Sequence, residues 1–370
     1  MTFVLLGLLF IPSHTLGAAP YTPVSAQTCR EPVIVLDTRI TPNAVFYSEL
    51  RLVRPDWIRK IANSQRKLSE IPDSDVQLTY CHRGREWKLV VTEKGEVYDP
   101  ETESALLIPK SLQQKLSKAA GELRSRHYGK LLPWDEVNRR IPNKTKITIL
   151  DMETGLSFRA QRRAGNSHAD VQPLSKKDTE IMRRIYGGKW SWNRRPVLVI
   201  TERESIAASM NGMPHGGDGI PHNNFSGHFC VHFRNSTTHK SRTTDAAHQA
   251  MIFRAAGKIS SYLESLNPAG LAELYVAALN QQDLDLIKKL VPDNNGKPSH
   301  PFANEMENLK TVRLVSMTHS PETFRFLTAS VPVQIAVYRN NAKMKQSSLQ
   351  IICRRASLTD PWKISDILLN

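Results

Sequence analysis

The chain has 370 residues, of which 40% are hydrophobic and 23% are charged. This length predicts two or three domains, and the composition is typical of a globular protein, which excludes a largely disordered chain. The formal net charge of +15 favours a polyanionic partner (nucleic acid, an anionic membrane or an anionic cell wall), although dispersed basic residues on an ordinary solvated surface also explain it.

The first residues form a short apolar segment. Residues 3–11 are apolar except for Gly7, and no charged side chain precedes Arg30. A segment of this length is typical of the hydrophobic part of a signal peptide and is too short to span a membrane. We therefore expect residues 1–26 to be a cleaved signal peptide and the mature chain to be extracytoplasmic, without a stable membrane span. Export argues against nucleic acid as the partner.

Residues 27–144 are predicted to form an N-terminal α+β region. Their pattern favours strands at 76–80 and 87–92, and helices at 55–69, at 111–127 and just after residue 132. Cys29 and Cys81 both fall in this region, and in an oxidising compartment they could form a disulfide.

Residues 145–263 are predicted to form a mainly β domain. Alternating apolar residues favour strands at 145–151, 156–161, 196–201, 205–210 and 229–233. Helical spacing favours helices at 177–186 and 245–263. Residues 211–224 are rich in glycine, proline and asparagine and are expected to form a loop.

Residues 264–370 are predicted to form a separate C-terminal α+β domain. A helical stretch at 271–290, interrupted near 280–283, precedes strands predicted at 311–317, 324–338, 347–352 and 362–368. This pattern resembles the small NTF2-like domains, which implies a binding or structural role. The whole chain is therefore expected to be a multidomain α+β protein.

The candidate chemistry lies in the histidine-rich segment 213–233, MPHGGDGIPHNNFSGHFCVHF. Alternate side chains on a strand share a face, so His228, Cys230 and His232 are expected to lie on one face. A neighbouring imidazole can remove the thiol proton, or as an imidazolium lower the thiol pKa, and either produces a nucleophilic thiolate. His215 in the preceding loop is expected to face Cys230, which is typical of Cys–His acyl transfer.

Two short segments resemble the L,D-transpeptidases of the bacterial cell wall. His215-Gly216 resembles the His-Gly loop of that family, and residues 227–232 (GHFCVH) resemble its Ser/Thr-His-Gly-Cys-x-Arg/Asn motif. The resemblance implies a catalytic domain over 145–263 with Cys230 as the nucleophile. It further implies that His215 is the general base, oriented by the Gly216 carbonyl, and that His228 shapes the site.

The same resemblance implies the substrate. Peptidoglycan stem peptides would be acyl donors through a thioester enzyme, and either an amine or water would be the acceptor. The basic surface suits anionic cell-wall polymers. His232, Trp190 and Trp192 are the residues expected to contact the substrate, although Trp190 and Trp192 could equally be core residues.

Three positions depart from the family motif. Gly227 replaces Ser or Thr, Phe229 replaces the Gly before the cysteine, and His232 replaces Arg or Asn. The Phe229 change concerns the oxyanion hole, because backbone amides beside the nucleophile normally form it. A bulky side chain is compatible with a working site if it points to the opposite face of the strand. The sequence therefore indicates a divergent branch of the family.

Other interpretations of the same residues remain open. Cys230 could be a buried structural thiol, and the protein a non-catalytic wall-binding protein with a degenerate site. A zinc-dependent peptidoglycan hydrolase is the third possibility, with ligands drawn from His215, His222, His228, Cys230 and His232. Their spacing matches no known zinc motif, so we expect no metal, and without a P-loop or GxGxxG sequence we expect no cofactor. The pair His168 and Asp170 suggests either a metallopeptidase motif or an ordinary structural histidine.

Overall fold

The computed structural model describes residues 32–217, 219–238, 242–291, 300–318, 325–340 and 342–370. Over these ranges the protein is a mixed α+β chain with three separate sheets, which confirms the predicted fold class at that level. The expected signal peptide (1–26) and Cys29 lie outside the described residues. Among those described, no helix is long and apolar enough to cross a membrane.

The N-terminal sheet has seven antiparallel strands in the order β2-β1-β4-β5-β6-β7-β3. The strands are β1 (Val33–Thr38), β2 (Ser48–Val53), β3 (Gln65–Leu68), β4 (Val76–His82), β5 (Arg85–Val91), β6 (Val97–Asp99) and β7 (Ser104–Leu107). The helices α1 (Pro55–Ala62) and α2 (Lys110–His127) pack against this sheet, whereas α3 (Trp134–Arg140) joins the core of the central unit. The strands predicted at 76–80 and 87–92 and the helix predicted at 111–127 are confirmed.

The helix predicted at 55–69 is shorter in the structure, because the second half of that segment forms a strand. It begins at Pro55, which suits the first turn of a helix because proline lacks the amide hydrogen that this turn leaves unused. It ends at Ala62, because Gln65–Leu68 pairs with β7 as an edge strand. Cys81 on β4 is disulfide-bonded, whereas Cys230 and Cys353 are free.

The central unit is a closed antiparallel barrel with the strand order β10-β13-β12-β11-β8-β9. Its strands are β8 (Lys146–Asp151), β9 (Ser157–Ala164), β10 (Ala169–Pro173), β11 (Arg195–Ile200), β12 (Ser205–Met210) and β13 (Phe229–His232). Both predicted strand pairs are confirmed as hairpins. Closure leaves no unpaired edge, and apolar side chains such as Phe158, Val197 and Phe229 fill the interior.

The helices α3, α4 (Lys176–Ile185) and α5 (Ala246–Ala255) pack against the barrel, and α6 (Ile259–Ser265) follows α5 and packs against the C-terminal core. The single helix predicted at 245–263 is therefore two helices. Gly257 separates them with a φ of +65°, and a Cβ at this position would lie 2.6 Å from the ring of Tyr128. Only glycine fits both conditions, so the helix ends there.

The C-terminal unit packs two helices against a four-stranded antiparallel meander. Its elements are α7 (Pro268–Gln281), α8 (Leu284–Leu290), a 3₁₀ helix (Ala303–Asn308), β14 (Leu309–Met317), β15 (Thr328–Arg339), β16 (Lys345–Arg354) and β17 (Lys363–Leu369). The predicted helix break is confirmed, since Gln282 has a φ of +56° and Asp283 caps α8. Ala250 and Met251 of α5 join the apolar core of this unit, so α5 contacts both the barrel and α7.

Candidate active site

Cys230 lies on β13, on the face turned away from the barrel core. Phe229 and Val231 belong to that core, whereas Cys230 and His232 do not, as strand alternation predicts. The Phe229 ring centroid lies 6.0 Å from that of Phe158. The bulky Phe229 side chain therefore fills the barrel and points to the opposite face of the strand from the thiol. Cys230 itself is 5% exposed.

The loop histidine meets the thiol directly. His215 Nε2 lies 3.2 Å from Cys230 Sγ. On the other side of the ring, Nδ1 lies 2.8 Å from the backbone carbonyl oxygen of Met213. A carbonyl only accepts, so Nδ1 donates and Nε2 is directed at the sulfur. The carbonyl that Nδ1 of His215 meets is thus that of Met213, and not that of Gly216 as expected.

Glycines fix the loop against the strand. His215 and His228 form an isolated antiparallel bridge, with N···O distances of 3.0 and 2.7 Å. Gly216 has a φ of +74°, and a Cβ there would lie 2.3 Å from Cε1 of His228. Gly227 has a φ of +83°, and a Cβ there would lie 2.3 Å from the carbonyl oxygen of His215. The two glycines therefore let the loop approach closely enough for His215 to reach Cys230.

A second imidazole, which the sequence did not assign to the site, contacts the thiol. His168 precedes β10, and the register of the barrel places Asp170 opposite Cys230. The donor atoms of His168 and Cys230 lie within 4.8 Å of each other, and Nε2 of His168 lies 3.4 Å from Asp170 Oδ1. Asp170 also approaches His228, whose Nε2 lies 3.5 Å from the same carboxylate oxygen. The only sequence signal for this pair was the i, i+2 spacing, which places both side chains on one face of a strand.

The electrostatics favour a thiolate. Burial alone would raise the pKa of Cys230, but hydrogen bonds from His168 and His215 lower it below its ordinary value. Burial likewise disfavours a charged His168, yet hydrogen bonds to Asp170 and Cys230 raise its pKa to about 10. The hydrogen bond to Cys230 also raises the pKa of His215. The group is therefore suited to hold a thiolate between imidazolium ions.

His232 lies behind the thiol and is shielded from solvent. It is 2% exposed, and its ring stacks between those of His168 (4.3 Å between centroids) and His248 (3.8 Å). Burial lowers the pKa of both His232 and His248 well below the usual range, so the two rings are neutral. His248 Nδ1 in turn lies 2.9 Å from the hydroxyl oxygen of Ser209. His232 is therefore buried against His168 and supports that ring, and its expected contact with the substrate stays a prediction.

The two tryptophans have different surroundings. Trp192 is 50% exposed, and its ring centroid lies 5.1 Å from that of His215. Trp190 is half-buried against Phe225 of the barrel core, with 5.3 Å between ring centroids. Of these two tryptophans, Trp192 is the one that lies beside His215 with half of its surface exposed.

One group in the described part of the chain has the composition of a metal site. Donor atoms of His168, Cys230 and His232 lie within 4.8 Å of one another, and nitrogen and sulfur are the donors that zinc prefers. His222, which the sequence offered as a ligand, is exposed and outside this group. No protein-family model matches the chain, and no curated protein matches it either. The geometry of the site is therefore the basis for assigning a function.

Proposed function

We propose that the protein is a cysteine acyltransferase of the L,D-transpeptidase type, acting on peptidoglycan stem peptides. The observation that carries this proposal is the 3.2 Å contact between Cys230 Sγ and His215 Nε2. A nucleophile and a base within hydrogen-bond reach, with a third group that orients the base, are the features of nucleophilic catalysis. Here the Met213 carbonyl is the third group.

The reaction follows from these positions. The Cys230 thiolate attacks the carbonyl carbon of a stem peptide, and His215 donates its proton to the departing amine as the C–N bond breaks. A thioester remains on Cys230. An acceptor amine then attacks this thioester, gives a proton to His215 and releases the thiolate. Water in place of the amine gives a carboxypeptidase.

We further assign the closed barrel to the L,D-transpeptidase-like domain, and the C-terminal helices and meander to an NTF2-like domain with a binding or structural role. The net charge of +15 and the apolar segment at residues 3–11 support an extracytoplasmic protein beside anionic cell-wall polymers. No cofactor enters the proposed reaction.

Two alternatives differ in what supports them. A non-catalytic wall-binding protein was suggested by Phe229 beside the nucleophile, but that side chain packs against Phe158 and Phe225 inside the barrel. The zinc-dependent hydrolase is favoured by the donor group of His168, Cys230 and His232. In that case Cys230 would be a ligand and would form no covalent intermediate.

Intact mass spectrometry tests the proposal. Purified mature protein is incubated with stem tetrapeptide fragments of peptidoglycan, and we expect a mass increase equal to the acyl group. Cys230→Ser abolishes the adduct, because a serine hydroxyl is much harder to deprotonate. Cys353→Ser is the matched control and retains it, since Cys353 is a buried thiol whose pKa burial raises to about 12. If the protein forms no adduct with any stem peptide, the proposed acyltransferase function is wrong.

A further inference from the structure

Cys230 lies between two imidazoles in unlike surroundings. His168 is 1% exposed and lies on the buried side of the thiol. His215 is half-buried, in a loop beside the exposed ring of Trp192. The proton transfers of the proposed reaction need one accessible imidazole, which His215 supplies. His168 therefore requires a different explanation.

Both ring nitrogens of His168 face hydrogen-bond acceptors. Nδ1 lies 2.7 Å from the carbonyl oxygen of Thr237, and a carbonyl can only accept. Nε2 faces the Asp170 carboxylate, whose Oδ1 lies 3.4 Å away, and the donor atoms of His168 and Cys230 lie within 4.8 Å of each other. A neutral imidazole carries one N–H and would direct a lone pair at one of these acceptors. A doubly protonated ring presents one N–H to the Thr237 carbonyl and the other to the Asp170 carboxylate, and its positive charge favours the thiolate beside it.

Several other titratable or charged groups face this cluster. They come from the loop before β13, from β13 itself, from α5 and its N-cap, and from the residue preceding β11: His215, His228, His232, His248, Asp245 and Arg194. His232 and His248 are neutral because burial lowers their pKa. Arg194 pairs with Asp245 at 2.6 Å. Asp170 is thus the carboxylate with which the described structure pairs His168.

We infer that His168 is a positioning residue, a fixed imidazolium that stabilises the Cys230 thiolate while His215 alone carries the proton. Asp170 and the Thr237 carbonyl hold it in place. The inference rests on the proposed function, and it assigns charge stabilisation to His168 and proton transfer to His215.

Charge balance supports this division. Before the attack, thiolate and carboxylate match two imidazolium ions. When the thioester forms, His215 has given its proton to the leaving amine, and His168 remains paired with Asp170. The buried group is therefore neutral before and after acylation, which avoids the cost of an unpaired buried charge.

The pH profile of Cys230 alkylation by iodoacetamide tests the inference on the full mature chain. In the unaltered protein we expect a midpoint well below the value of about 8.5 for an ordinary thiol. His168→Gln keeps a hydrogen-bond donor but removes the charge, and we expect it to raise the midpoint by about one pH unit or more. His215→Gln raises it less but abolishes transfer to an acceptor amine. His127→Gln, which replaces a buried histidine of α2 that hydrogen-bonds Ser48, is the matched control and leaves the midpoint unchanged.

The outcomes separate the two proposals. An ordinary midpoint or an inert thiol in the unaltered protein overturns the proposed function. A low midpoint that His168→Gln leaves unchanged overturns the inference alone. Nitrogen-15 NMR of the unaltered, histidine-labelled protein is independent of whether the variant folds. We expect one imidazolium that stays doubly protonated at pH 8, and its absence would likewise overturn the inference.

Discussion

Gly227 faces the backbone carbonyl of His215 so closely that a Cβ at Gly227 would lie 2.3 Å from that oxygen. The L,D-transpeptidase motif that this segment resembles has Ser or Thr at the position of Gly227, and neither would fit here. The loop that carries His215 pairs directly with the residues before β13, and the missing side chain provides the room for that pairing.

Gly227→Ala should separate His215 from Cys230. The new methyl group must displace the loop, so we expect alkylation of Cys230 at neutral pH to slow by about tenfold, equivalent to about 1.4 kcal/mol in effective thiolate stabilisation. The added left-handed strain costs about 1–2 kcal/mol of folding stability. Gly84→Ala is the matched control, because Gly84 has a φ of +78° but no atom within 4 Å of the added Cβ. Equal alkylation rates in the two variants would contradict the steric role of Gly227.

Phe229→Leu should affect the barrel and leave the thiol unchanged. The smaller side chain loses contacts with Phe158 and Phe225, so we expect a loss on the order of 1–3 kcal/mol in the free energy of unfolding, measured with urea. The pH midpoint of Cys230 alkylation should stay where it is. A midpoint that moves as the stability falls would mean that Phe229 contributes to the site after all.

The coupling free energy between Cys230 and His168 should fall both at low pH and at high pH. A thiol whose folded pKa is lowered contributes stability that is lost as the pH falls through that lowered value. A histidine whose folded pKa is raised to about 10 contributes stability that is present below about 6.5 and is lost as the pH rises through about 10. The coupling between the two should therefore be largest between about pH 6.5 and 8.5 and should decline on either side.

A double-mutant cycle measures this coupling. Urea unfolding of the unaltered protein, Cys230→Ala, His168→Gln and the double variant gives the coupling free energy at each pH. We expect a bell-shaped curve that disappears above about pH 10. A coupling that is constant from pH 5 to pH 10 would show that the two groups meet as neutral partners.

Much of the fold was predictable because its signals are local. The hairpins of the barrel and the break before α8 followed from alternation and turn residues within a few positions. β10 was not predicted, because its sequence ADVQP alternates over only five residues and ends in proline, which is too short a signal to indicate a strand, and its burial depends on its place in the barrel. The same distinction between local and long-range signals applies to the residues of the site. Cys230 and His215 came from one short segment, whereas His168 joins them only through the pairing of β10 with β13.

Zinc should be absent from the active protein. The donor group of His168, Cys230 and His232 could bind it, but zinc would occupy the sulfur that the proposed reaction needs. Elemental analysis of protein purified without chelators should give far less than one zinc per chain, and chelation should leave adduct formation intact. One zinc per chain, lost together with activity in His232→Ala, would instead establish the zinc-dependent hydrolase.

Trp192 should contribute to substrate binding, whereas Trp190 should contribute to stability. Trp192 exposes half of its surface beside His215, so its ring offers a flat apolar contact to a stem peptide or its sugar. We expect Trp192→Ala to raise KM for the acyl donor by about tenfold while the melting temperature and the alkylation of Cys230 by iodoacetamide stay unchanged. Trp190→Ala is the matched comparison: it loses the contact with Phe225, so the protein should melt several degrees lower, with little change in KM for the folded fraction. If Trp192→Ala slows iodoacetamide as much as it weakens the donor, the ring acts by positioning His215 and makes no contact with the substrate.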